Sequence, residues 1–280
     1  MNIVLICICN FQEYILDNIK QLIKTGNENI YVITNNIFFE KFQTYIDNII
    51  LISIEELEDS YNYLNKSCLN RSFRNGFWLL TSMRFFYLYE FMKKYNIKDV
   101  IHLENDVLIY YNPNILNEKL DRNYLYIPFD CYKRNIASIV FIPDYKILEK
   151  ILNNYDYQLN DMENFSIINK KLQIIEHFPI FINNMNENEE YQFVTKNFEI
   201  FNFIFDAAAI GQYLGGVDPR NIEGDSTKFV NETCIIKFDK YEIIWLEKDF
   251  IRKPFIKINE ETYPIFNLHI HSKNLSKFIY

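Results

Sequence analysis

Apolar runs of strand length alternate with amphipathic helices through the first hundred residues of this chain. The strands predicted from these runs are Ile3–Cys9, Ile30–Thr34, Ile49–Ile52 and Val100–Leu103. The helix predicted before the last of them, Asn75–Tyr95, is apolar on most faces, so we expect it to be largely buried. Strands and helices in this order form a mostly parallel sheet with right-handed crossovers. We therefore expect an α/β fold whose ligand site lies beyond the carboxyl ends of the strands.

Two local patterns predict further boundaries. Ser53 and Glu56 have the spacing of a capping box, which predicts a helix that runs to about Asn65. Later in the chain, Ile235–Phe238 and Glu242–Leu246 flank a polar pair and predict a β-hairpin. The hairpin would place antiparallel structure in the second half of the chain.

The charge balance and the cysteines limit the class of protein. Lys and Arg number 29 against 37 Asp and Glu, which gives a formal net charge of −8. A nucleic-acid-binding protein normally has a basic stripe, and because this sequence shows none, we expect no nucleic-acid partner. Five Cys without framework spacing are typical of a reducing compartment. Since Met1–Asn10 lacks the features of a signal peptide and is too short to span a bilayer, we expect a cytoplasmic protein without a transmembrane segment.

An acidic pair follows the fourth predicted strand. The segment His102–Asp106 reads HLEND, so Glu104 and Asp106 lie where the strand gives way to a loop. Carboxylates in such positions can present oxygens to one hard divalent cation, which keeps open positions for phosphate oxygens. The alternative is a charged turn that binds nothing.

The last strand carries a pair of histidines. Residues 268–273 (LHIHSK) hold half of the four histidines in the chain. Strand alternation would place His269 and His271 on one face. One imidazole among oxygen ligands is acceptable to Mn²⁺, and Lys273 could reach a phosphate as a point charge. A hydrogen-bonded histidine pair is the alternative, and the spacing does not show which histidine would bind a metal.

Small residues are scarce in this chain and are concentrated in one segment. Phe205–Pro219 contains three of the four Ala and three of the six Gly. Asp206 is a good N-cap for a short helix, and Gly215 is a good stop. Small side chains permit either the close approach of a ligand such as a sugar ring or the tight packing of a helix against a sheet, and the pattern leaves both open.

Together these segments resemble GT-A glycosyltransferases. In those enzymes an Arg-bearing helix, here Arg84–Leu88, precedes a strand that ends in an acidic "DXD" motif, here within Asp99–Tyr110. Enzymes of the glycogenin and galactosyltransferase type also carry a late His on the metal and a Lys on the diphosphate, an order that His271 and Lys273 match. The small-residue segment, followed by a terminal His-X-His-X-Lys, is similar to GT-A-like proteins encoded by large DNA viruses.

The resemblance implies a fold and an activity. The fold is a Rossmann-like, mostly parallel sheet flanked by helices, with a smaller antiparallel part on the acceptor side. Residues 1–280 would form a single catalytic domain, with a nucleotide-binding half in residues 1–112 and a sugar and acceptor half in residues 113–280. The activity is metal-dependent transfer of a hexosyl or N-acetylhexosaminyl group from a nucleotide diphosphate, with UDP-sugar as the expected donor, to a hydroxyl of a glycan or protein acceptor. The cofactor would be Mn²⁺ or Mg²⁺.

The resemblance also implies ligands for the metal and for the donor. The implied metal ligands are Glu104, Asp106 and one of His269 and His271. The residues implied to bind the donor are Asn10, Phe11, Arg84, Glu104, Asn105 and Lys273. Asn10 and Phe11 follow the first strand, where GT-A folds hold the uracil base. Arg84 is a cation on a mostly apolar helix and needs a partner, for which Asp106 or a diphosphate would serve.

Two aspartates are the candidate catalytic residues. Asp206 would act as general base on the acceptor if the reaction inverts configuration. If the reaction retains configuration, Asp206 or Asp161 would instead stabilise the oxocarbenium face. Retaining GT-A enzymes have an Asp-Gln pair where this chain has Asp161 and Met162, so an N-cap role for Asp161 is an equal alternative.

Two other classes of function fit parts of the pattern. A nucleotidyltransferase can use a related sheet and similar acidic pairs, but it normally needs a Gly-rich phosphate loop after the first strand, and residues 10–13 contain no Gly. A non-catalytic carbohydrate-binding protein would suit the 17% aromatic content and would need no metal.

Overall fold

The computed structural model describes residues 1–220, 228–248 and 250–279. In chain order its strands are β1 (Asn2–Cys7), β2 (Ile30–Thr34), β3 (Ile50–Ser53), β4 (Val100–Leu103), β5 (Val107–Ile109), β6 (Leu125–Cys131), β7 (Arg134–Asn135), β8 (Ile139–Ile142), β9 (Ile175–Phe178), β10 (Ile204–Phe205), β11 (Glu242–Lys248), β12 (Ile251–Ile258) and β13 (Glu261–His269). Its α-helices are α1 (Ile15–Lys24), α2 (Tyr63–Lys66), α3 (Phe77–Tyr95), α4 (Tyr145–Leu152), α5 (Asp161–Leu172), α6 (Glu189–Val194), α7 (Phe198–Phe201) and α8 (Ile210–Gly215). Short 3-10 helices cover Asn36–Tyr45, Ile54–Glu56, Phe73–Asn75, Pro113–Leu116, Phe238–Lys240 and Leu275–Phe278.

The larger sheet confirms the expected α/β fold. Its strand order is β3-β2-β1-β4-β8-β6-β7, with β9 paired to β6. β1 is parallel to β2 and β4, and β2 is parallel to β3, whereas β8 is antiparallel to β4 and β6. The chain moves outward from β1 to β3 and then returns to the other side of β1 as β4. Open α/β sheets bind ligands at such a reversal, in the crevice at the carboxyl ends of the two strands.

Strand β1 is buried on both faces, as its continuous apolar run predicts. Ile3 and Leu5 pack into the apolar core on one side of the sheet, and Val4 and Ile6 pack into the core on the other side. Helix α3 covers the second of these faces and is buried along most of its length. The carboxyl ends of β1 and β4 are therefore held between two packed layers.

A smaller, mainly antiparallel sheet brings the late histidines to the acidic segment. Its order is β10-β13-β12-β11, with β5 paired to β13. β13 is antiparallel to β5, with His269 opposite Val107. Because β5 begins directly after Asp106, this pairing places the end of β13 beside the acidic pair.

Two boundaries predicted from the sequence are wrong. Ser53 ends β3 and does not cap a helix, since its hydroxyl donates to Glu55 at 2.8 Å. The short 3-10 helix that follows ends at Glu56, well before α2. β11 is a strand, but it pairs with β12 and not with Ile235–Phe238. Both predictions relied on spacing along the chain, and pairing between strands decided the outcome.

In the parts of the chain that the structure describes, no helix combines the length and the apolar character needed to cross a bilayer.

Candidate active site

Two carboxylates and an imidazole meet beyond the carboxyl end of β4. Glu104 and Asp106 follow β4, and His269 is the last residue of β13. His269 Nε2 lies 3.2 Å from Glu104 Oε2 and 3.2 Å from Asp106 Oδ2. One potential ligand atom from each of the three residues lies within 4.8 Å of the other two. We call Glu104, Asp106 and His269 the acidic-histidine cluster.

Asp106 and His269 are buried, Glu104 is partly exposed, and the cluster is strongly polarised. Burial raises the pKa of Asp106, but the ammonium of Lys273 and the imidazole of His269 outweigh it and hold this pKa well below its ordinary value. Burial also lowers the pKa of His269, yet the carboxylates of Asp106 and Glu104 outweigh that effect and raise it. A carboxylate kept ionised in a buried crevice is the environment that a divalent cation needs.

Lys273 pairs with the cluster through Asp106. Its ammonium donates to Asp106 Oδ2, the same oxygen that faces His269. The backbone N–H of Lys273 bonds the carbonyl of Ile270 at 2.9 Å, so a tight turn after β13 carries the side chain back to Asp106. The Lys273 side chain keeps 25% of its surface exposed, which leaves the ammonium accessible to a second anion.

His271 lies beyond the end of β13 and outside the acidic-histidine cluster. Its ring centroid is 4.3 Å from that of His269, and its Nδ1 is 3.2 Å from Gln212 Nε2. Burial lowers the pKa of His271 well below its ordinary value, and the neighbouring His269 lowers it further. Of the two histidines that the sequence left open, the geometry favours His269 as the metal ligand.

Arg84 holds the cluster from the side of α3. Its Nη1 donates to Glu104 Oε1 at 2.5 Å, and its Nη2 donates to Asp161 Oδ2 at 2.9 Å. Burial lowers the pKa of the guanidinium, but these two carboxylates outweigh it and raise the pKa, so Arg84 is charged. Of the two partners expected from the sequence, Asp106 is not paired with Arg84 in the described residues, and a contact with a diphosphate stays a prediction. Glu104 and Asp161 fill the partner positions instead.

Asp206 is buried and bonded to the backbone. Its Oδ1 accepts from the N–H groups of Ala209 and Ile210 at 2.8 and 2.9 Å. Its Oδ2 accepts from Gly211 at 2.7 Å and from the N–H of His269 at 2.8 Å. The N-cap of α8 is Ala209, so the predicted N-cap position of Asp206 is wrong, although the Asp206 carboxylate accepts the N–H groups at the start of the helix. Four donors fill the acceptor positions of a carboxylate, so this geometry does not favour the predicted role as general base.

Gly211 allows α8 to lie against the end of β13. A Cβ atom on Gly211 would lie 2.1 Å from the carbonyl oxygen of His269 and 3.0 Å from Asp206 Oδ2. No side chain fits at that distance, so only glycine permits the contact. Of the two interpretations of the small-residue segment, tight packing is therefore the one that the structure supports at Gly211.

The loop that carries the acidic pair is fixed by amides. The Asn105 side chain donates to the carbonyl of Ile6 at 2.7 Å and to Gln12 at 2.6 Å, which ties the end of β4 to β1. Asn18 of α1 donates to the carbonyls of Glu104 and Val107 at 3.3 and 2.9 Å. Asn105 thus supports the loop, and its predicted contact with the donor stays a prediction.

Sequence reasoning missed Asn18, although the sequence contains a signal for it. The buried face of α1 is formed by Ile15, Ile19 and Leu22, and Asn18 is a polar residue on that same face. A buried amide needs partners, and the loop carbonyls supply them. A polar residue within an apolar stripe is therefore a usable sign of a supporting contact.

Asn10 and Phe11 lie after β1, as expected. The Phe11 ring is half-buried and packs against Phe38 and Phe42, with centroids 5.6 and 5.5 Å apart. Asn10 is exposed, and its backbone N–H bonds the carbonyl of Ile8 at 2.7 Å. Their predicted contact with a nucleotide base stays a prediction.

The acidic-histidine cluster suits a divalent cation by its donor atoms. Two carboxylate oxygens and one imidazole nitrogen converge there. The oxygens suit both Mg²⁺ and Mn²⁺, and the imidazole nitrogen suits Mn²⁺. Within the described residues, His269 Nδ1 is buried and has no hydrogen-bond partner. His269 Nε2 therefore carries the ring proton that it donates to the carboxylates of Glu104 and Asp106, and a cation would bind Nε2 in place of that proton.

Comparisons with known proteins give partial structural likenesses. No protein-family model matches the chain, and no curated protein matches it. Among solved structures, the chain is similar to the galactosyltransferase LgtC in complex with donor and acceptor sugar analogues, at 16% identity over 70% of this chain and 83% of that one, with a TM-score of 0.47. It is also similar to mouse xyloside xylosyltransferase 1, at 9% identity over 70% of this chain and 93% of that one, with a TM-score of 0.46.

A cytidylyltransferase from Leptospira borgpetersenii is a further match, at 12% identity over 70% of this chain and 81% of that one, with a TM-score of 0.39. These TM-scores are all below 0.5, so the chemistry of the site has to be inferred from its own residues.

Proposed function

We propose that this chain is a glycosyltransferase that uses a divalent cation and a nucleotide diphosphate sugar. The acidic-histidine cluster carries the proposal, because the buried Asp106 and His269 and the partly exposed Glu104 offer two oxygens and one nitrogen at one point. Lys273 adds a partly exposed ammonium beside Asp106. A diphosphate needs positive charge from more than one side, and this arrangement would supply it.

The residues of the cluster would have distinct tasks. Glu104, Asp106 and His269 would hold the cation, which when bound would neutralise charge on the diphosphate as it leaves the sugar. Arg84 holds Glu104 in place, and the Asp206 carboxylate holds the backbone of His269. Ligands fixed in this way lose little freedom when they bind.

Lys273 would move from Asp106 to the leaving diphosphate. In the structure the Lys273 ammonium pairs with the Asp106 carboxylate. A cation bound to that carboxylate would neutralise its charge and weaken its attraction for Lys273. A phosphate oxygen would then be the better partner for a mobile point charge. Stabilisation of the leaving group is therefore the main catalytic contribution that we assign to this chain.

The two candidate catalytic aspartates are less suited to direct contact with the sugar. Asp206 is bonded to four backbone N–H groups, and Asp161 pairs with Arg84 and is 2% exposed. We assign both to support of the site. With both aspartates assigned to support, the stereochemical outcome at the sugar would depend on groups that contact the acceptor. UDP-sugars are the donors to test first, because Asn10 and Phe11 follow β1, where the resemblance to GT-A enzymes predicts the uracil base.

The test is a screen of nucleotide sugars for hydrolysis in the presence of Mn²⁺. We expect slow release of the nucleoside diphosphate that stops when the metal is chelated and falls at least about tenfold in Glu104→Gln. The exposed Glu118→Gln removes the same charge elsewhere and should leave the rate unchanged. Release of pyrophosphate in place of a nucleoside diphosphate would show a nucleotidyltransferase, and binding of sugars without metal dependence would show a carbohydrate-binding protein.

A further inference from the structure

A cavity lies beside the turn that follows β6, and no residue of the acidic-histidine cluster lines it. Its volume is about 350 Å³, which is within the range of small-molecule sites. The turn joining β6 to β7, the second half of α5 and Phe193 of α6 enclose it. None of the residues predicted for catalysis or for metal binding lines this cavity.

Aromatic rings form one wall of the cavity. Phe193 packs between Phe129 and Tyr132, with ring centroids 5.2 and 4.8 Å away. The ring of His177 supports Phe193 from behind, at 4.3 Å. Tyr132 is 39% exposed, so its ring is open to a ligand. Flat aromatic surface of this kind packs well against the C–H face of a sugar ring.

Two lysines are the charged residues that line the cavity. Lys133 lies in the turn and Lys170 on α5, and both are exposed. In the described residues neither has an ion-pair partner, although the chain as a whole carries a net charge of −8. Glu190 adjoins the aromatic wall, but its carboxylate already accepts the backbone N–H of Tyr132 at 3.0 Å. That carboxylate keeps its negative charge, and Glu189 and Glu190 both act on Tyr132, but the charged residues that line the cavity itself are the two lysines.

The sheet places this cavity on the same edge as the acidic-histidine cluster. β4 and β6 are each antiparallel to β8, which lies between them, so their carboxyl ends point the same way. Two strand spacings separate them, or about 10 Å. An acceptor chain whose reacting end lies at the metal site would extend along this edge of the sheet toward the cavity.

We propose that this cavity binds an acidic sugar of the acceptor, a ring that carries a carboxylate or a phosphate. The ring would lie on Tyr132 and Phe193, and its anionic group would meet Lys133 and Lys170. The assignment to the acceptor rests on the proposed sugar transfer, whereas the binding of an acidic sugar does not.

The test measures binding of simple sugars by titration calorimetry or ligand-observed NMR, without nucleotide or metal. Methyl glucuronide and glucose 6-phosphate carry the anion, and methyl glucoside is the neutral control. We expect at least one acidic sugar to bind about fivefold or more tightly than the neutral one. In Lys133→Gln/Lys170→Gln this preference should vanish, and Tyr132→Ala should weaken all three sugars.

A matched control is Lys20→Gln/Lys24→Gln, which removes the same charge from the exposed face of α1 and should keep the preference. Equal binding of the three sugars, or a preference that survives in the Lys133 and Lys170 variant, would overturn the proposal. Inorganic phosphate that binds as tightly as glucose 6-phosphate would overturn the assignment to a sugar. If acidic sugars bind but no metal-dependent donor hydrolysis is found, the cavity stands and the proposed function fails.

Discussion

The Asp206 carboxylate accepts a hydrogen bond from the backbone N–H of His269 at 2.8 Å. The same carboxylate also binds three N–H groups at the start of α8. One buried side chain therefore joins the small-residue segment to the histidine that faces Glu104 and Asp106. This contact makes Asp206 a positioning residue for the proposed metal site.

Asp206→Asn should weaken both the fold and the metal site. An asparagine has one acceptor oxygen, so about two of the four N–H groups lose their partner, at a cost of about 3 kcal/mol in the free energy of unfolding. We expect the affinity for Mn²⁺ to fall with it, because His269 loses its backbone anchor. Chemical denaturation and Mn²⁺ titration measure the two effects.

The capping residue Asp144 provides the control for this variant. It accepts from the N–H groups of Lys146 and Ile147 at the start of α4, away from the site. Asn is as good an N-cap as Asp, so Asp144→Asn should change little. If Asp206→Asn abolishes transfer but binds Mn²⁺ as tightly as the natural chain, Asp206 acts as the general base and our assignment is wrong.

Gly211→Ala should be far more harmful than Gly215→Ala. The new Cβ at Gly211 would lie 2.1 Å from the His269 carbonyl oxygen, and backbone atoms cannot yield without moving β13. At Gly215 the nearest atoms are side-chain atoms of Phe278 and Ser272 at 3.2 Å, which can shift. We expect a loss of several kcal/mol for the first variant and about 1 kcal/mol for the second, measured by urea unfolding. Equal losses would contradict the tight contact between α8 and β13.

Arg84→Gln should destabilise the chain strongly. The change leaves the buried Asp161 carboxylate and the partly buried Glu104 carboxylate without their cation, which costs about 3–5 kcal/mol. Lys257 pairs with Glu242 at 3.7 Å on the surface, so Lys257→Gln should cost less than about 1 kcal/mol. Denaturation curves compare the two, and a small loss in Arg84→Gln would show that Arg84 does not hold the site together.

Acid should destabilise the fold through His177. Burial lowers the pKa of His177 from 6.5 to about 4, so the unfolded chain binds a proton that the folded chain excludes. The free energy of unfolding is therefore unaffected by His177 above pH 6.5. It falls by about 3 kcal/mol as the pH drops from 6.5 toward 4. His177→Asn keeps the bond to the Phe193 carbonyl and cannot gain the proton. Its free energy of unfolding should therefore vary less over this pH range, and an unchanged pH profile would contradict the account.

The order of the first strands and the position of the acidic pair could be predicted from local pattern. Buried strands have continuous apolar runs, so β2 and β4 were predicted to the residue. Glu104 and Asp106 follow β4, where the carboxyl end of a parallel strand makes a ligand site. A short helix after Asp206 was equally a local signal, although its N-cap is Ala209 and not Asp206.

The partners of these residues depend on contacts far apart in the chain. Arg84 meets Glu104 and Asp161 because α3 and α5 pack side by side, and no spacing in the sequence encodes that packing. The choice of His269 over His271 follows from β13 ending at His269, where the strand alternation stops. Gly211 could be noted as a rare glycine, but its neighbour became clear only in three dimensions.

The stability of the chain in the presence of UDP and Mn²⁺ tests the central claim most directly. Ligands that bind only the folded chain raise its melting temperature, and two that bind at one site do so together more than either alone. We expect this larger shift with both ligands in the natural chain and in the control Asp47→Asn, which changes an exposed residue. In Asp106→Asn, provided that the variant is folded, we expect the two ligands together to raise the melting temperature no more than either alone. A joint shift that persists in Asp106→Asn would contradict a metal site at Glu104, Asp106 and His269.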